Sequence, residues 1–274
     1  MTARPERDFL LGDAAAEIRR LTLHAQVWEP EAERMLDRIG VPRAAHCVDV
    51  GCGSRGVLAA LSRRAGPDGR VVGVDADARV LAAARAHVER EGLGNVELVE
   101  GDALATGLPR AAFHLVHARF LLAPLGREED LVRELIALTA PGGVAVLQEP
   151  DAGSWGCFPE PAAFPVLRDA VLAAFRKKGG DLNAGRRTFG RLREAGLQDV
   201  QLRPAVLAFQ DGHPYLRLPL LFVEALRSLI LDSGILRAAE LNRAVQGYEE
   251  FLRAPSGCMV TFTVFQTWGR KPRR

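Results

Sequence analysis

Three acids and a cluster of glycines stand where they could hold an adenosine-bearing ligand. The segment Val48-Asp49-Val50-Gly51-Cys52-Gly53-Ser54-Arg55-Gly56 is an apolar run that ends in a glycine-rich turn, and Val71-Val72-Gly73-Val74-Asp75 is a second apolar run that ends in an acid. Glycine lets the backbone approach a ligand closely, and a helix that follows such a turn offers its unpaired N–H groups. An acid at the end of the second strand can hold both ribose hydroxyls. A third run ends Val99-Glu100-Gly101-Asp102-Ala103. Here a carboxylate can accept from an adenine amino group while the next backbone N–H meets a ring nitrogen.

Read literally, Gly51-Cys52-Gly53-Ser54-Arg55-Gly56 satisfies the dinucleotide fingerprint, with Asp75 at about the expected distance. A nicotinamide-dependent dehydrogenase is therefore a rival reading. Asp49 argues against it, because a carboxylate two residues before the glycines would repel a pyrophosphate at short range. It suits a ligand that presents a cation there, such as the ammonium of a methionyl group.

With Pro141-Gly142-Gly143 leading into a fifth apolar run, these segments follow one another in a recognisable order. Together they resemble the class I S-adenosylmethionine-dependent methyltransferases, from about residue 45 to residue 150 and again at the final strand. The resemblance implies a Rossmann-like α/β fold: a seven-stranded, mostly parallel sheet with the last strand antiparallel. It implies S-adenosyl-L-methionine over the first two strands, held by Asp49, Gly51, Gly53, Ser54, Asp75, Ala76, Asp102, Ala103 and Arg119. Arg119 stands where the family often has an Asn that touches the methionyl part. Arg55 stands where a third glycine is usual, with Gly56 one place later. Two readings of Arg55 stay open, a partner for the cofactor carboxylate and a solvated first-turn side chain. A cofactor-binding protein with no transfer activity is a further alternative.

Methyl transfer from a sulfonium depends mainly on alignment and exclusion of water. A general base is needed only when the acceptor must lose a proton. His117 near the end of the fourth strand, and Glu149 and Asp151 at the end of the fifth, are the candidates for it. His24 and His213 lie in or beside the expected caps. The His-His pair that some relatives carry after the fourth strand is replaced by Leu122-Ala123-Pro124. Trp28, Phe120, Trp155, Phe158, Phe164 and Phe222 either line an acceptor pocket or pack the insertions onto the sheet. They favour a small, largely apolar metabolite or natural product, methylated on O, N or C.

The elements that must position these residues alternate. Strands are expected near 46–50, 70–75, 95–100, 112–117 and 143–149, and helices near 55–65, 77–91 and 127–139. Leu10, Ala14, Ile18 and Leu21 recur at helical spacing, and Pro30 sits where a second helix could begin. Residues 1–44 then form an N-terminal helical cap. Residues 45–274 form the methyltransferase domain, with helical insertions at about 155–185 and 213–254. Val200 to Phe209 and Met259 to Trp268 each read as one strand.

Composition limits the rest. At 274 residues, 48% hydrophobic and 26% charged, the chain has ample core for one elaborated domain. A net charge of +2 and the lack of a basic groove argue against a nucleic-acid partner. Arg270-Lys271-Pro272-Arg273-Arg274 reads as a frayed tail. The scattered cysteines give no metal-ligand spacing, and no apolar run suits a signal peptide or a membrane span. The expected setting is cytoplasmic, and the apolar final strand and caps would support a homodimer.

Overall fold

In the computed structural model, which describes residues 14–210 and 212–273, the apolar runs at 47–50, 71–74, 115–119 and 144–151 become strands buried on both faces, as the inside of a parallel sheet requires. The run at 96–100 lies half-exposed at the sheet edge. The elements are α1 (Ala14–Ile39), β1 (His46–Val50), α2 (Leu58–Ala65), β2 (Arg70–Asp75), α3 (Ala78–Arg90), β3 (Val96–Glu100), β4 (Phe113–Arg119), α4 (Leu122–Leu125), α5 (Glu128–Leu138), β5 (Thr139–Asp151), β6 (Gly156–Phe158), α6 (Ala163–Lys177), α7 (Thr188–Glu194), β7 (Gln198–Ala205), β8 (Ala208–Gln210), α8 (Leu218–Asp232), α9 (Ala238–Arg253), β9 (Cys258–Val260) and β10 (Thr263–Arg270).

The large sheet has the order β3-β2-β1-β4-β5-β10-β7. Strand β10 runs antiparallel to both of its neighbours, and the other pairings are parallel. The Rossmann-like α/β fold implied by the resemblance is present. The order reverses at β1, so β1 and β4 diverge and leave a crevice at their carboxyl ends, where ligands bind in such sheets. One face of the sheet packs on α1, α2 and α3 through Leu36, Leu58, Leu61 and Leu81. The other packs on α5 and α7 through Leu131, Leu135 and Leu192. A third apolar cluster joins Trp28 of α1 to α6, α8, α9 and the small strands.

Several expectations change. Leu10 lies outside the described residues, and one helix runs through Pro30 instead of two meeting there. Proline removes one helical hydrogen bond. Around it, however, Trp28, Ala32, Met35 and Leu36 are fully buried, and that packing holds the helix continuous. Pro141-Gly142-Gly143 is an irregularity within β5, not a separate turn. The terminal residues are not frayed through Lys271: its ammonium donates to the carbonyls of Ile136 and Thr139 at 2.8 Å, capping the C-terminus of α5.

The two long strands expected at 200–209 and 259–268 are each divided. Val264 faces Ala205 in the large sheet, and Val260 faces Ala208 in a second, three-stranded sheet of order β6-β9-β8. The pair passes together from one sheet to the other. The break is stitched by Thr261 N–H to Leu207 O at 2.9 Å and Leu207 N–H to Thr261 Oγ1 at 3.0 Å. Alternation at period two cannot register such a bend. No helix among the described residues is long and apolar enough to cross a membrane.

The turn after α6 meets the α4–α5 turn at Gly126, whose φ is +63° and where a Cβ would overlap the Gly179 carbonyl oxygen. Gly126→Ala is expected to destabilise the protein by about 1–3 kcal/mol, seen as a lower midpoint in thermal melts. Gly94→Ala, with open space around it, is expected to leave the midpoint nearly unchanged.

Candidate active site

A cleft opens over the carboxyl ends of β1, β2 and β4. Asp75, Ala76, Asp77, Val80, Gly101 and Ala103 line one end. Asp49, Gly51, Gly53, Ser54 and Arg119 line the middle, and Phe120, Phe175, Leu182, Phe222 and Phe262 the far end. Helix α1 closes one side with Glu17, Arg20, Leu21, His24 and Ala25.

The glycine loop is held by backbone and carboxylate together. Gly51 N–H and Cys52 N–H both donate to Val74 O, at 2.8 and 2.9 Å. Gly53 N–H donates to Asp75 Oδ2 at 2.9 Å, and Asp77 N–H to Asp75 Oδ1 at 3.1 Å. Burial raises the Asp75 carboxyl above its ordinary range against these bonds, which pull it down. Asp49 is buried in β1. Its Oδ2 accepts from Val57 N–H at 2.9 Å, and its Oδ1 pairs with His117 Nδ1 at 2.7 Å. Gly56 has φ +50°, and a Cβ there would overlap the Asp49 carboxylate and lie 2.7 Å from Cys52 O. The glycine the turn requires is thus Gly56.

Arg55 follows neither of the readings left open for it. Its guanidinium donates to Glu29 Oε2 of α1 at 2.7 Å, outside the cleft wall. Beside it, Thr22 Oγ1 and Ser54 Oγ lie 2.9 Å apart, so α1 is fastened across the loop at two points.

Arg119 is buried and its Nη2 donates to Gly56 O at 3.1 Å, but its Nη1 has no hydrogen-bond partner among the described residues. An unsatisfied buried guanidinium N–H is costly in isolation. Next to the Asp49 carboxylate, it suits a ligand that carries a carboxylate and an ammonium together. The residues present therefore fit the methionyl end of S-adenosylmethionine.

The three candidate bases are not brought to the cleft. His117 is fully buried beneath it, with Nδ1 on Asp49 and Nε2 within 2.9 Å of Gln148 Oε1, so it positions Asp49. Glu149 accepts from the N–H groups of Leu121, Leu122 and Ala123 at 2.8, 2.9 and 3.2 Å, which caps the first turn of α4. Asp151 is ion-paired with Arg186 and accepts from Gly153 N–H at 3.0 Å. Strand-end positions were legible in the chain, but the side of the strand each side chain takes was not. Asp102 also lies outside the cleft wall, although Gly101 and Ala103 on either side belong to it; its Oδ1 accepts from Leu104 N–H at 2.9 Å.

Sequence reasoning named His24 in the cap but missed its polar partners from α1 and the second cap, Glu17, Arg20 and Tyr215. Glu17 and Arg20 form a buried two-pronged ion pair, both bonds 2.7 Å, with the guanidinium 4.8 Å from the centre of the Phe222 ring. His24 sits 4.2 Å, ring to ring, from Phe120, and its Nδ1 lies 2.8 Å from Tyr215 Oη. The i, i+3, i+7 spacing of Glu17, Arg20 and His24 is visible in the chain and places all three on one face of α1. Nothing in the chain says that this face is turned inward.

Fold and cleft define an α/β protein built to hold an adenosine-type cofactor at a sheet switch point. Residues 47–143 match the model of the methyltransferase domain family. The chain is 30% identical over 207 residues to a trans-aconitate 2-methyltransferase of Paracidovorax citrulli, covering 74% of each chain. It is 27% identical over 193 residues to a demethylmenaquinone methyltransferase of Geobacillus kaustophilus, covering 66% of this chain and 82% of that one. A putative methyltransferase of Bacillus halodurans has a similar fold, with TM-score 0.61 at 21% identity over 88% of this chain and 99% of that one. The chain belongs to the class I S-adenosylmethionine-dependent methyltransferases, and S-adenosylmethionine is its cofactor.

Burial pushes the Glu149 carboxyl up to about 7, outweighing the three N–H bonds that lower it. The folded protein therefore binds this proton more tightly than the unfolded chain, whose carboxyl titrates near 4.5. Its contribution is present at low pH and is lost as pH rises through about 7. The contribution is on the order of 3 kcal/mol at most. Thermal melts at pH 5 and pH 8 should show a smaller loss of midpoint in Glu149→Gln than in the wild type. Equal losses would mean that Glu149 does not carry this dependence.

Proposed function

We propose that this enzyme transfers a methyl group from S-adenosylmethionine to a small acceptor with a largely apolar body, of the kind met among lipophilic metabolites and natural products. The observation that carries this reading is the far end of the cleft. Phe120, Phe175, Leu182, Phe222 and Phe262 form a largely apolar recess of the cleft, continuous with the cofactor residues. Relatives of this chain are named for demethylmenaquinone and for trans-aconitate, both small molecules.

In this reading Asp75 holds the ribose hydroxyls and Ala76 lies beside the ring. Ala103 offers its N–H to adenine, with Asp102 shaping the turn. Gly51, Gly53 and Ser54 let the backbone approach, Asp49 attracts the ammonium, and Arg119 Nη1 takes the carboxylate. Bound there, the cofactor supplies an activated methyl on a positively charged sulfur. The protein supplies alignment and a dry chamber. The described part of the N-terminal cap of residues 1–44, residues 14–44, and the insertions at about 155–185 and 213–254 act as one cap on the domain of residues 45–274, with His117, Glu149 and Asp151 serving the scaffold.

Asp75→Ala is expected to weaken S-adenosylmethionine binding by about 1.5–3 kcal/mol, the range for hydrogen bonds to a charged group. Calorimetry measures it directly. Unchanged affinity would take Asp75 out of the site, and binding of NAD in place of S-adenosylmethionine would overturn the reading as a whole.

A further inference from the structure

A chain of polar groups runs through the wall at the apolar end of the cleft. Trp28 Nε1–H donates to Tyr215 Oη at 2.9 Å, and an indole nitrogen can only donate. His24 Nδ1 lies 2.8 Å from the same oxygen. Tyr215 is fully buried, and its hydroxyl has no third partner among the described residues. Were the His24 proton on Nδ1, Tyr215 Oη would receive two donors and its own O–H would be buried without an acceptor, which is costly. The hydroxyl therefore donates to His24 Nδ1, and the neutral imidazole carries its proton on Nε2.

That proton has no protein partner among the described residues, and His24 belongs to the cleft wall. Burial, aided by the cations of Arg20 and Arg119, keeps His24 well below the ordinary histidine range, so it stays neutral. Phe120 and Phe262, with ring centres 4.2 and 5.8 Å away, hold the ring in place. Arg20 contributes a second donor. Its Nε and Nη2 are taken by Glu17, while its Nη1 has no protein partner among the described residues. The charged groups lining this part of the cleft are Glu17 and Arg20 from α1, Asp49 from β1 and Arg119 from β4; α6 and α8 contribute only apolar side chains.

We propose that His24 is a fixed hydrogen-bond donor to the acceptor and not its base, and that with Arg20 it selects an acceptor entering as a delocalised oxygen anion, a carboxylate or an enolate, on an apolar body. This rests on the methyl-transfer reading above. Donors that cannot take up a proton are of no use to a neutral alcohol or amine that must lose one. An anion needs no base. Its oxygen attacks the methyl carbon, the C–O bond forms as the S–CH3 bond breaks, the negative and positive charges cancel, and no proton moves. The three aromatic rings around the donors, Phe120, Phe222 and Phe262, seat the apolar body.

Two measurements test this. Nitrogen-15 NMR of histidine-labelled protein reads the His24 tautomer directly, and the proton is expected on Nε2 and redistributed between the nitrogens in Tyr215→Phe. Calorimetry on the S-adenosylhomocysteine-loaded protein then compares 2-naphthoate with its methyl ester and 4-hydroxycoumarin, an enolate at neutral pH, with coumarin. At least one anion should bind about tenfold or more tightly than its neutral counterpart, as a hydrogen bond to a charged group implies. Which anion binds distinguishes carboxylate from enolate. His24→Phe should lower the preference several-fold, leaving what Arg20 contributes, and His24→Gln, which keeps an N–H donor, should retain most of it. A proton on Nδ1, equal binding of the neutral probes, binding of neither anion, or an unaltered preference in His24→Phe overturns the proposal. Failure of the wild-type protein to bind S-adenosylmethionine overturns the underlying reading instead.

Discussion

The site depends on one buried carboxylate. Asp49 is held in the middle of the sheet with both oxygens satisfied, one by the His117 imidazole and the other by the first N–H after the glycine turn. A charge in that position is tolerable only when fully hydrogen-bonded. Meeting that demand fixes the path of the chain around it. Val57 must present its N–H, so Gly56 must pass against the carboxylate with no side chain of its own. Gly51 and Cys52 must then lie under the end of β2, where they donate to Val74 O. The position of Asp75 relative to the loop follows, because Gly53 N–H closes onto it.

The same constraint sets the place of the cap. Once the loop is fixed, Ser54 and Arg55 point away from the sheet, and α1 attaches to both through Thr22 and Glu29. The other face of α1 reaches the second insertion through the Trp28–Tyr215 bond. One helix thus ties the glycine loop to the apolar end of the cleft, and the described part of it runs unbroken through a proline that would otherwise favour a break. A disturbance of the loop has a direct mechanical route to His24, four residues before Trp28 on that helix.

Much of this was legible in the chain because its determinants are local. Apolar runs, glycine turns and terminal acids occur within a few residues of one another, and they identified the first five strands and the cofactor. What escaped was set by contacts across long separations. Arg55 looked like a departure in the glycine motif, yet its role is decided by Glu29, which lies elsewhere in the chain. Glu149 and His117 looked catalytic because they stand at strand ends. Rotation about the strand turned one toward the N-terminus of α4 and the other under Asp49, and period-two reasoning cannot choose between faces without the neighbouring strand. The bend that carries Phe262 into the chamber needs two strands to kink together, so neither reveals it alone.

The two ends of the cleft are built differently, and this bears on how the chemistry is divided. At the cofactor end the contacts are backbone N–H groups and carboxylates within a single sheet edge, where a small displacement breaks several bonds at once. At the apolar end the wall is made of side chains from α1, α6, α8 and the β9–β10 bend, held mainly by aromatic packing. Dispersion contacts are individually weak and can rearrange around a change of shape. With the Glu17–Arg20 pair, the Trp28–Tyr215–His24 chain is a directional element in an otherwise apolar wall. It offers orientation at one point and leaves the remaining surface free to adapt. A sulfonium methyl needs little more than that from its enzyme, provided the acceptor arrives in its reactive form.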